Sequence, residues 1–145
     1  MDKEKPVCRI FIVDDDAFLL DMYALKFSQK NFDVTTSSGT LDAMEKLREG
    51  YKPDVLLVDL VMPAMGGFQF LEQLKKEKLA PEMLIIVLSN LSQEEDVARS
   101  MKLGASGYIV KASATPSEVV ERVLAEMRKY KEIVTKNNGL PVGGK

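Results

Sequence analysis

Three consecutive aspartates, Asp14-Asp15-Asp16, follow one apolar run, Asp59 ends another, and Ser89 and Lys111 end two more. The sequence contains no histidine. That removes Ser-His-Asp and Cys-His nucleophile pairs, histidine-ligated zinc and any phosphohistidine carried by this chain, so chemistry must run on carboxylates, hydroxyls and amines. A run as apolar as Val55-Leu56-Leu57-Val58 has no use for a carboxylate at its end unless something pairs with it, because a bare buried charge is costly. Asp59 therefore needs a partner or a task.

The elements that must position these residues are five short apolar runs alternating with longer amphipathic ones. The runs are Cys8 to Val13, Phe32 to Thr36, Val55 to Val58, Met83 to Leu88 and Gly107 to Val110, and the central ones are continuously apolar, as in parallel strands covered on both faces. Helical spacing puts Phe18, Met22 and Leu25 on one face of the first intervening segment, and Leu41, Met44 and Leu47 on one face of the second. Leu71 and Leu74 mark the third, Val97 and Met101 the fourth, and Val119, Val120, Val123 and Met127 the fifth. Ser92-Gln93-Glu94-Glu95 and Thr115-Pro116-Ser117-Glu118 read as capping boxes, and Gly50 and Gly104 sit where helices stop. Such alternation predicts a doubly wound α/β domain with a five-stranded parallel sheet over about residues 7 to 130, because each parallel return needs a crossover. Residues 1 to 6 are expected to form an N-terminal extension. The last helix is expected to run to about Lys136, with a flexible tail from Asn137-Asn138-Gly139 through Gly143-Gly144.

In open α/β sheets, ligands bind outside the carboxyl ends of the strands. Asp14-Asp15-Asp16, Asp59, Ser89 and Lys111 all fall there, and only the second strand is expected to end without a polar group. With these residues in view, the chain resembles a response-regulator receiver domain of two-component signalling. The motifs that carry the resemblance are Ile12-Val13-Asp14-Asp15, Asp59-Leu60-Val61-Met62-Pro63 with Gly66 following, Val87-Leu88-Ser89, and Gly104-Ala105-Ser106-Gly107-Tyr108-Ile109-Val110-Lys111. The resemblance implies a flavodoxin-like strand order, 2-1-3-4-5. It further implies that Asp59 is the phosphoacceptor, that Asp15 binds Mg²⁺ directly and Asp14 through water, and that Ser89 and Lys111 hold the phosphoryl group. Tyr108 stands where receivers couple phosphorylation to the face formed by the fourth helix, fifth strand and fifth helix.

Carboxylates on neighbouring strands lie about 5 Å apart, so at least three acids share a small volume and repel unless a cation joins them. Mg²⁺ favours six oxygens, and Asp15, Asp59, the Val61 main-chain carbonyl, a phosphoryl oxygen and water complete such a shell. Lys111 supplies a second positive charge on a long stem. Asp16 reads as a helix N-cap. Taken singly, Ser89 is as well explained as a cap and Lys111 as a surface charge; two acids opposite Asp59 are not explained by capping. In receivers the residues two past the acceptor and two past the Ser/Thr often tune attack by water, and here they are the apolar Val61 and Leu91. One departure from the family stands out: its lysine is usually followed by a cis proline, whereas here Lys111 precedes Ala112, where a cis bond costs about 3 kcal/mol.

Composition narrows the rest. Twenty Lys plus Arg against 22 Asp plus Glu give a net charge of -2, with no strongly basic block, which disfavours nucleic acid as a direct partner. No apolar run approaches the roughly 20 residues needed to span a bilayer, so no membrane partner and a cytoplasmic location are expected. The single cysteine, Cys8, reads as a small apolar filler. The expected partners are a sensor histidine kinase or histidine phosphotransfer protein and an output protein, for a stand-alone receiver. Two other readings stand: a haloacid-dehalogenase-like phosphatase with Asp14 as nucleophile, which leaves Asp59 without a role, and a receiver-like binding module that is never phosphorylated. A flavodoxin-like cofactor binder is weaker, with no Ser/Thr-rich phosphate loop after the first strand.

Overall fold

Strand and helix alternate five times in the computed structural model, which describes residues 8–139, with side chains to residue 131. The strands are β1 (Arg9–Val13), β2 (Asp33–Ser37), β3 (Val55–Val58), β4 (Leu84–Ser89) and β5 (Gly107–Val110). The helices are α1 (Ala17–Ser28), α2 (Thr40–Arg48), α3 (Gly67–Glu77), α4 (Glu94–Lys102) and α5 (Pro116–Gly139). All four pairings are parallel and the order is β2-β1-β3-β4-β5, as expected.

The period of two along each strand divides the core between the faces of the sheet. Ile10, Ile12, Leu57, Ile86 and Ile109 pack with Leu20, Tyr23 and Phe27 of α1 and with Val119, Val120 and Val123 of α5. Phe11, Val13, Leu56, Val58 and Val87 pack with Ala43, Met44 and Leu47 of α2 and with Phe70, Leu71 and Leu74 of α3. Each fully buried Val, Leu, Ile, Phe or Met among them contributes about 1.5–3 kcal/mol. Cys8 is half-buried against the first of these clusters, and burial pushes its thiol up to about 11, consistent with a filler that stays protonated.

Three helix faces differ from expectation. α1 turns Leu20, Tyr23 and Phe27 inward and leaves Phe18 71% and Leu25 53% exposed. This helix is apolar on more than one side, so period alone admits two stripes, and the larger aromatic pair Tyr23 and Phe27 takes the core. In α2, Leu41 is 59% exposed while Thr40, Ala43, Met44 and Leu47 are buried. α4 buries only Ser100, with Met101 exposed. α4 rests against α3 through polar contacts: the Arg99 guanidinium lies 4.2 Å from the centre of the Phe68 ring and 3.5 Å from Glu72.

The Thr115 capping box forms in both halves, the Thr115 amide donating to Glu118 Oε1 and the Glu118 amide to Thr115 Oγ1. The expected Ser92 box is displaced by one residue, since Gln93 is the N-cap and Asp96 its partner. Gly50 and Gly104, each at φ +108°, end α2 and α4 in the left-handed region where glycine carries no Cβ penalty. α5 runs through Asn137-Asn138-Gly139 rather than stopping near Lys136. The N-terminal extension and the Gly143-Gly144 tail lie outside the described residues.

Candidate functional site

β1 and β3 run in register, Val13 opposite Val58, so the residues that follow them emerge side by side. The Asp59 amide donates to the Val13 carbonyl and the Asp14 amide to the Ser37 carbonyl, both at 3.1 Å, which carries the ladders one residue past the strands. Asp14 is 1% exposed and Asp59 5%, while Asp15 faces solvent. One carboxylate oxygen from each of the three lies within 4.8 Å of the others.

Lys111 reaches this cluster from the end of β5. Its Nζ stands 2.9 Å from Asp14 Oδ2 and 2.8 Å from Asp59 Oδ2, with its side chain largely buried. The second oxygens are also satisfied: Asp14 Oδ1 accepts from the Asp16 amide at 2.9 Å and Asp59 Oδ1 from the Val61 amide at 3.2 Å.

Three carboxylates against one ammonium leave an excess of negative charge. Burial pushes the Asp14 carboxyl above its ordinary value, with the Asp59 charge adding to it, against the opposing pull of the Asp16 amide and Lys111. Burial pulls Lys111 down, but its bonds to Asp59 and Asp14 outweigh this and hold it above the ordinary lysine value. Both follow from one imbalance: a cation shared by two buried anions keeps its proton, and the deepest anion is incompletely compensated. The donors are all oxygen, on two adjacent loops, without thiolate or imidazole, which suits a hard divalent ion such as Mg²⁺.

Ser89, at the end of β4, is fully buried, and its Oγ accepts from the Leu91 amide at 3.3 Å. Tyr108 on β5 is half-buried, and its hydroxyl donates to the Leu91 carbonyl at 2.6 Å. Leu91 is thus held on one side by Ser89 and on the other by Tyr108. Val61 presents its amide to Asp59 and leaves its side chain 56% exposed. Asp16 caps α1 as expected, accepting from the Leu19 amide at 3.1 Å. After Lys111 the chain makes a 3-10 turn, Lys111–Ser113, and no cis peptide bond occurs among the described residues. The missing proline is accommodated by that turn.

Gly67 marks the closest approach at this edge. A Cβ there would lie 2.5 Å from the Leu60 Cα and 2.6 Å from the Asp59 carbonyl oxygen, so only glycine lets α3 begin against the loop that follows Asp59. Two polar residues escaped the sequence reading. β2 extends to Ser37 rather than stopping at Thr36, so the second strand does end on a polar side chain. The Ser37 hydroxyl sits 2.7 Å from the Gly39 carbonyl and 2.8 Å from Asp42 Oδ2. Thr40, the first residue of α2, donates its hydroxyl to the Met65 carbonyl at 2.5 Å. The available signal was the hydroxyl-rich turn Ser37-Ser38-Gly39-Thr40 beside the acidic edge.

Comparison with known proteins agrees with this geometry. The family model described as the response regulator receiver domain matches residues 10–124. The phosphate regulon transcriptional regulatory protein PhoB of Shigella flexneri is 32% identical over 136 residues, covering 91% of this chain and 58% of that protein. The DNA-binding response regulator MtrA of Mycobacterium tuberculosis is 33% identical, covering 83% of this chain and 51% of that one. The chain thus spans about half the length of these curated relatives. Among solved structures, a CheY-like receiver domain protein from Methanospirillum hungatei superimposes with a TM-score of 0.78 at 25% identity, covering 88% of this chain and 98% of that one. The BeF3-activated receiver domain of DrrB, a Thermotoga maritima protein, gives 0.72 at 25% identity, covering 85% and 99%. Neither the phosphatase reading of Asp14 nor the cofactor-binder reading finds support in these matches. With four motifs, the strand order and the acidic pocket in agreement, the chain belongs to the response regulator receiver domain family of two-component signalling.

Proposed function

We propose that Asp59 accepts a phosphoryl group from a phosphohistidine on a partner, a sensor histidine kinase or a histidine phosphotransfer protein. The observation that carries this is the seating of Lys111 Nζ between Asp59 and Asp14 at a strand edge that also gathers Asp15. An Asp59 carboxylate oxygen forms the new bond to phosphorus as the phosphorus–nitrogen bond to the partner imidazole breaks. The imidazole leaves with the electron pair. Lys111 balances charge on the equatorial oxygens, and the Ser89 hydroxyl donates to one of them. The Val61 amide keeps the Asp59 carboxylate aimed. Asp15, Asp59 and the Val61 main-chain carbonyl would hold Mg²⁺, with Asp14 acting through water; the ion, when bound, neutralises charge on the transferring group.

The consequence for output begins at Ser89. Its Oγ accepts from the Leu91 amide, so a shift of Ser89 toward a phosphoryl oxygen would draw with it the loop that Tyr108 grips from the other side. This supports a switch running through Ser89 and Tyr108 to the α4-β5-α5 face, where an output protein docks. The net charge of -2 supports a protein rather than nucleic acid as that direct partner. On this reading residues 7–130 are the receiver, it catalyses only its own phosphorylation and dephosphorylation, and it works in the cytoplasm with its phosphodonor.

Treating the chain with acetyl phosphate, or with beryllofluoride, in the presence of Mg²⁺ and mapping the modified residue tests the reading. Modification at Asp59 is expected. Modification at Asp14 would favour a phosphatase-like nucleophile, and none at all the inert binding module.

A further inference from the structure

The turn between β2 and α2 touches both acid-bearing loops. Through the Ser37 carbonyl it accepts the Asp14 amide, and through the Thr40 hydroxyl it holds the Met65 carbonyl. Thr40 is 1% exposed, yet its hydroxyl does not cap its own helix: the N-cap of α2 is Gly39, with no side-chain cap bond. A buried hydroxyl needs a partner, and this one is found 25 residues away in sequence, in the loop that follows Asp59.

That loop, residues 60–66, is anchored by the buried side chains of Leu60 and Met62, but few hydrogen bonds fix its main chain. Its local bonds run from the Val61 amide to Asp59 Oδ1, from the Gly67 amide to the Leu60 carbonyl and from the Phe70 amide of α3 to the Gly66 carbonyl. Ala64 adopts φ +63°, an unfavourable region for a residue with a Cβ, and Pro63 and Ala64 face solvent. Among the described residues, Thr40 to Met65 is the one hydrogen bond tying residues 60–66 to an element other than the flanking β3 end and α3.

We propose that Thr40 is a positioning residue for the divalent-ion and phosphoryl site: its hydroxyl fixes the loop 60–66 so that the Val61 main chain is held at Asp59. The inference rests on the reading of Asp59 and its loop as the ion and phosphoryl site. Thr40 touches neither; it acts through four residues of backbone, from Met65 to Val61.

The test compares Thr40→Val, which keeps the shape and removes the hydroxyl, with Thr40→Ser, which keeps the hydroxyl. Two quantities are read on the whole chain: Mg²⁺ affinity by calorimetry, and exchange of the Val61 amide by NMR without Mg²⁺. T40V is expected to weaken Mg²⁺ about tenfold, as loss of a supporting partner does at other metal sites, and to speed Val61 exchange while the amides of β1 and β3 exchange as before. T40S should restore both. Wild-type affinity and Val61 exchange in T40V, or a T40S variant as impaired as T40V, would overturn the proposal. If wild-type protein bound no Mg²⁺, the reading of Asp59 would fail, while Val61 exchange would still decide whether Thr40 holds the loop. Should T40V not fold, the wild-type Thr40 hydroxyl proton decides: slow exchange with solvent and a shift on Mg²⁺ addition support the proposal, and rapid exchange with no shift refutes it.

Discussion

One lysine serves two buried carboxylates, and the cost of that arrangement falls on Asp14. A carboxyl whose folded value is raised contributes stability in acid, below its unfolded value near 3.8, and loses it as pH rises through the folded value. At neutral pH, without metal, Asp14 therefore strains the fold. Asp14→Asn should stabilise the metal-free protein at pH 7, because it removes the charge that burial disfavours. The gain should shrink on acidification below the folded value; urea titrations at several pH values measure it. Neither Val61 nor Leu91 carries a group able to orient water, so phosphorylated protein in Mg²⁺ buffer should lose its phosphoryl group slowly compared with receivers polar at both positions. A lifetime of seconds, followed by phosphate-affinity gel electrophoresis, would contradict this. At this scale the sequence was informative where chemistry was anomalous: an acid closing a valine-leucine run with two more acids opposite it had no structural excuse, and Lys111, a plain surface charge when taken singly, gained its meaning beside them. Ser37 and Thr40 went unread because serine and threonine in a turn are unremarkable until their partners are known.

Between elements, the contact to watch is the bond from Tyr108 on β5 to the Leu91 carbonyl in the loop after β4. Replacing Tyr108 with alanine should leave phosphorylation of Asp59 intact and remove its effect on partner binding. The two are separated by measuring phosphorylation rate and partner affinity on the same variant, and unchanged coupling would take Tyr108 out of the switch. Strands were legible in type and number because continuous apolar runs mark parallel strands buried on both faces. Helix faces were not: Phe18 and Leu25 obey the same spacing as Leu20, Tyr23 and Phe27, and only packing against the sheet distinguishes the two stripes. α4 was legible as a helix, but its shallow seat on α3 was not, since the Arg99 contacts to Phe68 and Glu72 cross between segments.

For the whole molecule, the acidic edge should make stability depend on divalent ions. On the proposed function Mg²⁺ would bind the folded arrangement and not the unfolded chain, so at a concentration one hundred times its dissociation constant it should add about 2.7 kcal/mol, and Asp59→Asn should abolish most of the gain. Lys111→Met should cost the metal-free protein about 3 kcal/mol, the penalty for leaving buried charge without its partner. Part of that loss should return with Mg²⁺. Thermal melts with and without Mg²⁺ measure all three. The overall topology was the most legible feature, because alternating runs and right-handed crossovers leave few ways to wind five parallel strands.

Gly67 gives the molecule an unusual vulnerability. Its α-carbon lies flush against Leu60, so the root of a whole helix doubles as the back wall of the acidic loop. A single methyl at this spot would act as a wedge, lifting the loop off its seat while leaving every carboxylate, the lysine and both halves of the core chemically untouched. Damage of that kind would hide from any inspection of the reactive groups alone.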